Sequence, residues 1–261
     1  MDRHEVLWFN AMGMRQMVAY YHRDFSSFEM MLHRLEVRYK ATGNQKNLAL
    51  ILNQLGISAQ AQRNFDKAED YYQRSLSINN SVGDEHGIAM TLGQLGNLST
   101  IQENFDEAET YYQEALHIFR RVKAEEGEAM TLHHLSIVAR NRDNLDEAES
   151  YYKQGLLIFE RLNATRPVVA TLHALGNIAY LQERLSDSEK YCRRSLEISQ
   201  RTGNEHVMAM NLHQLGLIAV EYGNIDEAVK WYEQAERILS RINDPHRLEI
   251  IRDSLKILLG Q

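Results

Sequence analysis

The pair Leu-Gly returns along this chain at a fixed interval. Leu55-Gly56, Leu95-Gly96, Leu175-Gly176 and Leu215-Gly216 keep a register of 40 residues, with Leu135-Ser136 in the middle place. The same offset links Ala68, Ala108, Ala148, Ser188 and Ala228, and it links Tyr72, Tyr112, Tyr152, Cys192 and Tyr232. It also joins Ile78, Ile118, Ile158, Ile198 and Ile238, with no residue inserted or lost between copies. A degenerate sixth copy lies upstream, where Arg23-Asp24-Phe25 stands 40 before Arg63-Asn64-Phe65. Such a chain does not close around one central core. Each copy is a small unit whose apolar face is covered by the next copy.

Each unit reads as two helices. Ala49, Leu52, Leu55 and Ala59 fall on one face of a helix. Asn64, Asn104, Asn144 and Asn224 then interrupt, and asparagine tolerates the left-handed conformation that ends a helix. The pairs Asp66/Glu69, Asp106/Glu109, Asp146/Glu149 and Ser186/Glu189 have capping-box spacing and are expected to open the second helix. That helix is expected to end near Gly43, Gly83, Lys123, Asn163, Gly203 and Asn243. Pro167 and Pro245 come just after these turns, where a missing N–H is harmless. No stretch sustains period-two alternation, so the expected fold is all-α.

Composition narrows the function classes. Hydrophobic residues are 44% and charged residues 25%, as in an ordered globular chain. With Gly 14 and Pro 2 the chain is neither collagen-like nor low-complexity, and it is poor in the turn residues of a β-sandwich. A single cysteine, Cys192, excludes an intrachain disulfide framework and a multi-cysteine metal site. A net charge of -7 gives no general pull toward nucleic acid or an anionic membrane, and neither is an expected partner. No apolar run approaches the length of about 18 residues needed to span a bilayer. The N-terminus lacks the pattern of a signal peptide, and the expected location is cytoplasmic.

These residues resemble the tetratricopeptide repeat (TPR) family. The third unit supplies its pattern as Leu92, Leu95-Gly96, Ser99, Ala108, Tyr112 and Ala115. The likeness spans roughly residues 5–245. The unit is longer than the usual repeat of about 34 residues, and the family's proline at the end of the second helix is absent. In these respects the chain is similar to the arrays of kinesin light chains, Pins/LGN-type scaffolds and bacterial regulators of the MalT or NB-ARC/NACHT kind. The resemblance implies a right-handed α-solenoid of about six repeats, with first helices lining a concave face. The expected division of the single domain 1–261 is a degenerate repeat at 1–44, five regular repeats at 45–244 and a capping helix at 245–261.

No catalytic constellation is present. There is no phosphate loop, zinc-protease helix or Gly-x-Ser-x-Gly turn. His133, His173 and His213 occupy one place in three successive repeats, with His134 beside the first. Equivalent places in stacked helices should be about 10 Å apart, too far for shared metal ligation. They read instead as the lining of a polar groove, and no metal or other cofactor is expected. Cys192 reads as a buried thiol, and the Tyr71-Tyr72, Tyr111-Tyr112 and Tyr151-Tyr152 doublets as packing between repeats.

By the resemblance, groove positions fall on the first helices. The candidate protein- or peptide-binding residues are Asn53, Asn97, His133, His134, Arg140, His173, Asn177, Tyr180 and His213. Amides and imidazoles there can bond an extended peptide backbone. The repeated Lys and Asn of the family's carboxylate clamp are missing.

The first unit replaces Leu-Gly with Arg15-Gln16 and concentrates Met12, Met14, Met17, Met30 and Met31 with Trp8, Phe9, Phe25 and Phe28. A neighbouring domain or self-association through this end is therefore expected. Leu248, Ile251, Leu255 and Leu258 form a stripe suited to a capping helix. The sequence thus points to a non-enzymatic scaffold or adaptor that binds a protein or peptide in its concave groove. The alternative is a sensor segment of a larger signalling protein, such as a STAND-type NTPase or a transcription regulator.

Overall fold

A computed structural model describes residues 25–260, with side chains from residue 28 onward. Trp8, Phe9, Met12, Met14, Arg15, Gln16 and Met17 lie outside the described residues. Twelve α-helices account for nearly all of the described chain: α1 (Phe25–Thr42), α2 (Gln45–Ala61), α3 (Phe65–Val82), α4 (Glu85–Ile101), α5 (Phe105–Arg121), α6 (Glu125–Asn141), α7 (Leu145–Arg161), α8 (Thr165–Leu181), α9 (Leu185–Thr202), α10 (Glu205–Glu221), α11 (Ile225–Arg241) and α12 (Pro245–Leu259). The architecture is an all-α repeat array. It forms two compact units, one ending at Lys123 and the other running from Ala124.

The turns reveal a finer period than the 40-residue repeat. From Gly43 to Asn243, every twentieth residue adopts the left-handed conformation, with φ between 53° and 74°. Glycine accepts this conformation readily, but Arg63, Glu103, Lys123, Asp143, Asn163, Glu183 and Asn243 also adopt it. The residue after each of these is the N-cap of the next helix, and eight of the eleven caps are Asn or Asp.

This corrects the sequence expectation for Asn64 and its equivalents. The left-handed residue is Arg63, while Asn64 caps α3, its side chain accepting from the Lys67 N–H. Asn144 caps α7 through the Glu147 N–H in the same way. Asp66 and Glu69 therefore lie inside the first turns of α3 and do not open it. A three-residue turn leaves no spare position. It must hold the end of one helix, one left-handed residue and one cap.

In the N-terminal unit, α1 packs on α2, α2 pairs with α3, α3 meets α4, and α4 pairs with α5. Leu32, Leu35, Leu52, Leu55, Tyr72 and Leu95 are part of one buried cluster there. Glu36 of α1 accepts from Lys40 and, across to α3, from Arg74, each at 2.8 Å. Burial works to raise its carboxyl, but Lys40, His33 and Arg74 outweigh that and hold it below the ordinary range.

The C-terminal unit repeats this order from α6 to α11, each helix meeting the next. Its last element, α12, lays Ile251 and Leu255 into the cluster of α10 and α11, with Leu248 and Leu258 partly buried beside them. The expected apolar stripe thus covers the end of the last pair.

Leu-Gly acquires its physical meaning in these pairs. Tyr72, Tyr112, Tyr152 and Tyr232 are fully buried. In three of the four pairs the ring lies against the glycine of the preceding helix, at Gly56, Gly96 and Gly216. Where the tyrosine is absent, Cys192 Sγ fills the place over Gly176. Outside the core the 40-residue register also sets ion pairs: Arg121 with Glu85, Arg161 with Glu125 and Arg241 with Glu205. These pairs are exposed, and their contribution to stability is correspondingly small.

Candidate binding site

The expected groove residues divide between the two units. In the N-terminal unit Asn53 is buried, and its Nδ2 donates to Thr91 Oγ1 at 2.9 Å. Asn97 is half-buried on α4. In the C-terminal unit His133 and His134 of α6 are half-buried, with ring centroids 5.9 Å apart in an edge-on arrangement. Arg140, one helical turn and more beyond them, is exposed. Tyr180 of α8 donates its hydroxyl to Glu221 Oε1 at 3.1 Å.

His173, Asn177 and His213 come together. They line a half-open pocket of about 180 Å³ bounded by α8, α10, α11 and α12. Ala209, Met210 and Gln214 of α10 and Leu239 of α11 form further parts of its wall, and Arg247, Ile250 and Ile251 of α12 close one side.

A chain of hydrogen bonds runs inward from this pocket. Asn177 Nδ2 lies 3.1 Å from His173 Nε2, and His173 Nδ1 lies 3.1 Å from Asn211 Oδ1. Asn211 Nδ2 donates to Ser195 Oγ at 2.8 Å and to Val207 O, and Ser195 Oγ donates to Val169 O. Because Asn211 presents its oxygen, His173 donates from Nδ1 and must accept at Nε2. That is the neutral ring. Burial is the main cause that holds the His173 pKa below its ordinary value, with the Asn211 bond pulling weakly the other way.

The other imidazoles share this bias. Burial lowers His133, aided by the charge of Arg140, and lowers His213, aided by His173. It takes His134 down to about 4, with His133 adding to the effect. Among the described residues no cluster of His, Cys, Asp or Glu is arranged to hold a metal ion. The pocket is therefore lined by amides and imidazoles with apolar walls, and Arg247 is the one permanently charged group in its lining. It can offer hydrogen bonds and apolar contact. Cys192, the one thiol, is buried, and burial pushes its pKa up to about 12.

A model of the MalT-like TPR region matches residues 44–249. The chain belongs to this family. The comparison with curated proteins found no match. Among solved structures the chain is similar to BtubC (BKLC) from P. vanneervenii, with 21% identity and a TM-score of 0.76, covering 85% of this chain and 92% of that one. It is similar to a STAND protein with a tetratricopeptide repeat sensor from Pyrococcus horikoshii, at 17% identity and a TM-score of 0.73; the match covers 83% of this chain and 34% of that protein. A Rap protein complexed with Competence and Sporulation Factor has 18% identity and a TM-score of 0.70, covering 99% of this chain and 72% of that one. At these identities the likeness is one of fold.

Within this MalT-like TPR array, several residues that line the pocket, and Asn211 buried behind it, escaped the reading from sequence. Asn211 carried a usable signal, because it breaks the series Thr91, Thr131, Thr171 at the same place in the repeat. Gln214 shares its place with Gln54 and Gln94, so nothing sets it apart. Arg247 and Ile250 belong to α12, which lies outside the five regular repeats.

Proposed function

We propose that this chain is a non-enzymatic TPR binding module whose C-terminal unit holds a peptide or a segment of a protein against the first helices. One observation carries the reading. His173, Asn177 and His213, chosen by their place in the repeat, border a common pocket with apolar walls. Convergent polar groups over an apolar floor suit a bound chain, whose N–H and C=O groups need partners once water is removed. Arg140 and Tyr180 extend the polar surface along the same faces. The module works in the cytoplasm as one array of repeats, and its N-terminal repeat meets a neighbouring domain or a second copy. The Rap protein's complex with a factor lends support by analogy of fold.

The test is selection of random-sequence peptides on the immobilised full chain. Asn177→Ala should weaken the selected peptides roughly tenfold, the loss expected for a hydrogen bond and its neighbours, and His173→Ala should weaken them by releasing the Asn177 amide that its ring holds. Leu157→Ser on the exposed face of α7 should leave affinity unchanged. The reverse pattern would remove the groove from consideration.

A second reading is a sensor segment of a larger regulator. It is favoured by the MalT-like family match and by the likeness to the sensor-bearing STAND protein, of which the match covers only 34%. The two readings share the binding surface and differ in what adjoins it.

A further inference from the structure

We propose that His173 and Asn211 are positioning residues for Asn177. They hold its side-chain amide with Oδ1 open to the groove, so that a bound peptide presents a backbone N–H at this point and cannot place proline there. This rests on the reading that the C-terminal unit holds a peptide.

The orientation is set from the buried end. Val207 O can only accept, so Asn211 Nδ2, 3.0 Å away, is the donor, and Asn211 Oδ1 is the atom that faces His173. His173 Nδ1 therefore carries the hydrogen of that bond, and in the neutral ring Nε2 is bare. A bare nitrogen accepts, which makes Nδ2 the end of the Asn177 amide that lies against it at 3.1 Å. The carbonyl end of Asn177 is then on the side away from His173. Asn177 is half-buried and lines the pocket, and its Oδ1 meets no donor among the described residues. It is also not one of the sealed polar atoms that lack a partner, so it reaches solvent.

Three repeats carry the histidine, and this relay is built at one of them. Asn211 lies 38 residues after His173, and Asn177 one turn after it. His133 has Thr171 and Ile137 at those places, and Thr171 Oγ1 is buried without a partner. His213 has Ile251 and Leu217, which hold no polar side-chain atom.

The charges around the ring keep it in the form the relay needs. Burial holds His173 below its ordinary range, the Asn211 bond pulls the other way, and His206 of α10 adds to the effect of burial. In the pocket lining His213 is the other titratable group, and Arg247 is the permanent cation, its guanidinium 2.8 Å from Asp244 Oδ2. No carboxylate lines the pocket to draw a proton onto His173.

The donor that meets Asn177 comes from a backbone. Ala209, Met210, Leu239, Ile250 and Ile251 give the adjoining pocket of about 180 Å³ an apolar wall, which suits a side chain that carries no donor of its own. Every residue except proline supplies an N–H beside its side chain.

The experiment selects peptides from a displayed library of random linear sequences on the immobilised full chain, then methylates each backbone nitrogen of the tightest binder in turn. At one position the N-methyl group should weaken binding to the unaltered protein roughly tenfold, and it should cost less than about twofold against Asn177→Leu. Proline should be missing at that position and should return when the selection is repeated on Asn177→Leu. In the isotope-labelled full chain, the ring-nitrogen resonances of His173 should show hydrogen on Nδ1 and none on Nε2. Asn211→Val should mix the two tautomers and remove the tenfold penalty, while Asn211→Thr should keep both. Threonine stands at this place in three other repeats, and Thr91 there accepts from Asn53 while donating to Gly87 O. If Asn211→Val does not fold by circular dichroism, His173→Phe at the half-buried position should remove the penalty instead. Indifference to every N-methyl group, a penalty that survives Asn177→Leu, or hydrogen on His173 Nε2 would discard this inference and leave peptide binding standing. A penalty that survives both Asn211→Val and His173→Phe would overturn the positioning role. A library that yields no peptide would overturn both readings.

Discussion

A methyl group added to Gly96 would stand 2.9 Å from Cδ1, Cε1 and Cζ of Tyr112. That is closer than carbon atoms pack, and Tyr112 is 1% exposed, so its ring has nowhere to go. Gly96→Ala should therefore destabilise the protein by about 1–3 kcal/mol, despite alanine's better helix propensity. Gly93, three residues earlier on the same helix, meets nothing within 4 Å of such a methyl. Gly93→Ala should stabilise by roughly 0.5–1 kcal/mol. Urea unfolding of the two variants separates packing from propensity, and equal effects would refute the account of Leu-Gly.

The turns offer a second comparison. Glu103 has φ 63° and Glu183 has φ 59°, a conformation costly to a residue with a Cβ. Glu103→Gly and Glu183→Gly should each gain up to about 1 kcal/mol, the relief of strain exceeding glycine's entropy loss. Gly203→Ala should lose about the same, because Gly203 has φ 68°. Thermal midpoints of the three variants check the sign of each.

Cys192 should be silent in the native state. Burial holds its thiol and raises its pKa to about 12, so thiolate is scarce at neutral pH. Labelling by a disulfide reagent should follow the urea unfolding curve. Rapid labelling of the folded protein would contradict the placement of Sγ over Gly176.

Acid should weaken the C-terminal unit. His133, His134, His173 and His213 all have folded pKa values lowered by burial. The unfolded chain then binds more protons than the fold, so stability holds above about pH 7 and falls as pH drops through 6.5 toward 4. With its pKa at about 4, His134 alone should account for roughly 2 kcal/mol of loss by pH 5. Urea midpoints at pH 7.5 and pH 5 should differ clearly less in His134→Gln than in the unaltered protein.

The reading from sequence was strongest where the physics is local. Helical spacing, the 40-residue register and the ends of the second helices near Gly43, Gly83, Lys123, Asn163, Gly203 and Asn243 were all legible, and the structure adds that these six residues are left-handed. Asn64 was legible as a boundary residue but was given the wrong side of the turn. One asparagine can serve as a left-handed end or as a cap, and the choice depends on the residues flanking a three-residue link. The N-terminal methionine and tryptophan cluster lies outside the described residues.

The sequence by itself determined the helical pair, its turns and the columns of small and aromatic residues that let pairs stack. Each of these follows from spacing within some 20 residues and from side-chain size. Tertiary structure decided the use made of each column. Asn53 and His173 hold one place in the repeat, yet Asn53 is buried against Thr91 while His173 stays half-buried and borders a pocket. Each bonds to a residue 38 further along, so its exposure depends on the helix laid over it and not on its own. The pocket likewise needs Arg247 and Ile250 from a closing helix outside the five regular repeats. A helical period records which residues share a face. Only packing against the next helix decides whether that face meets protein or solvent.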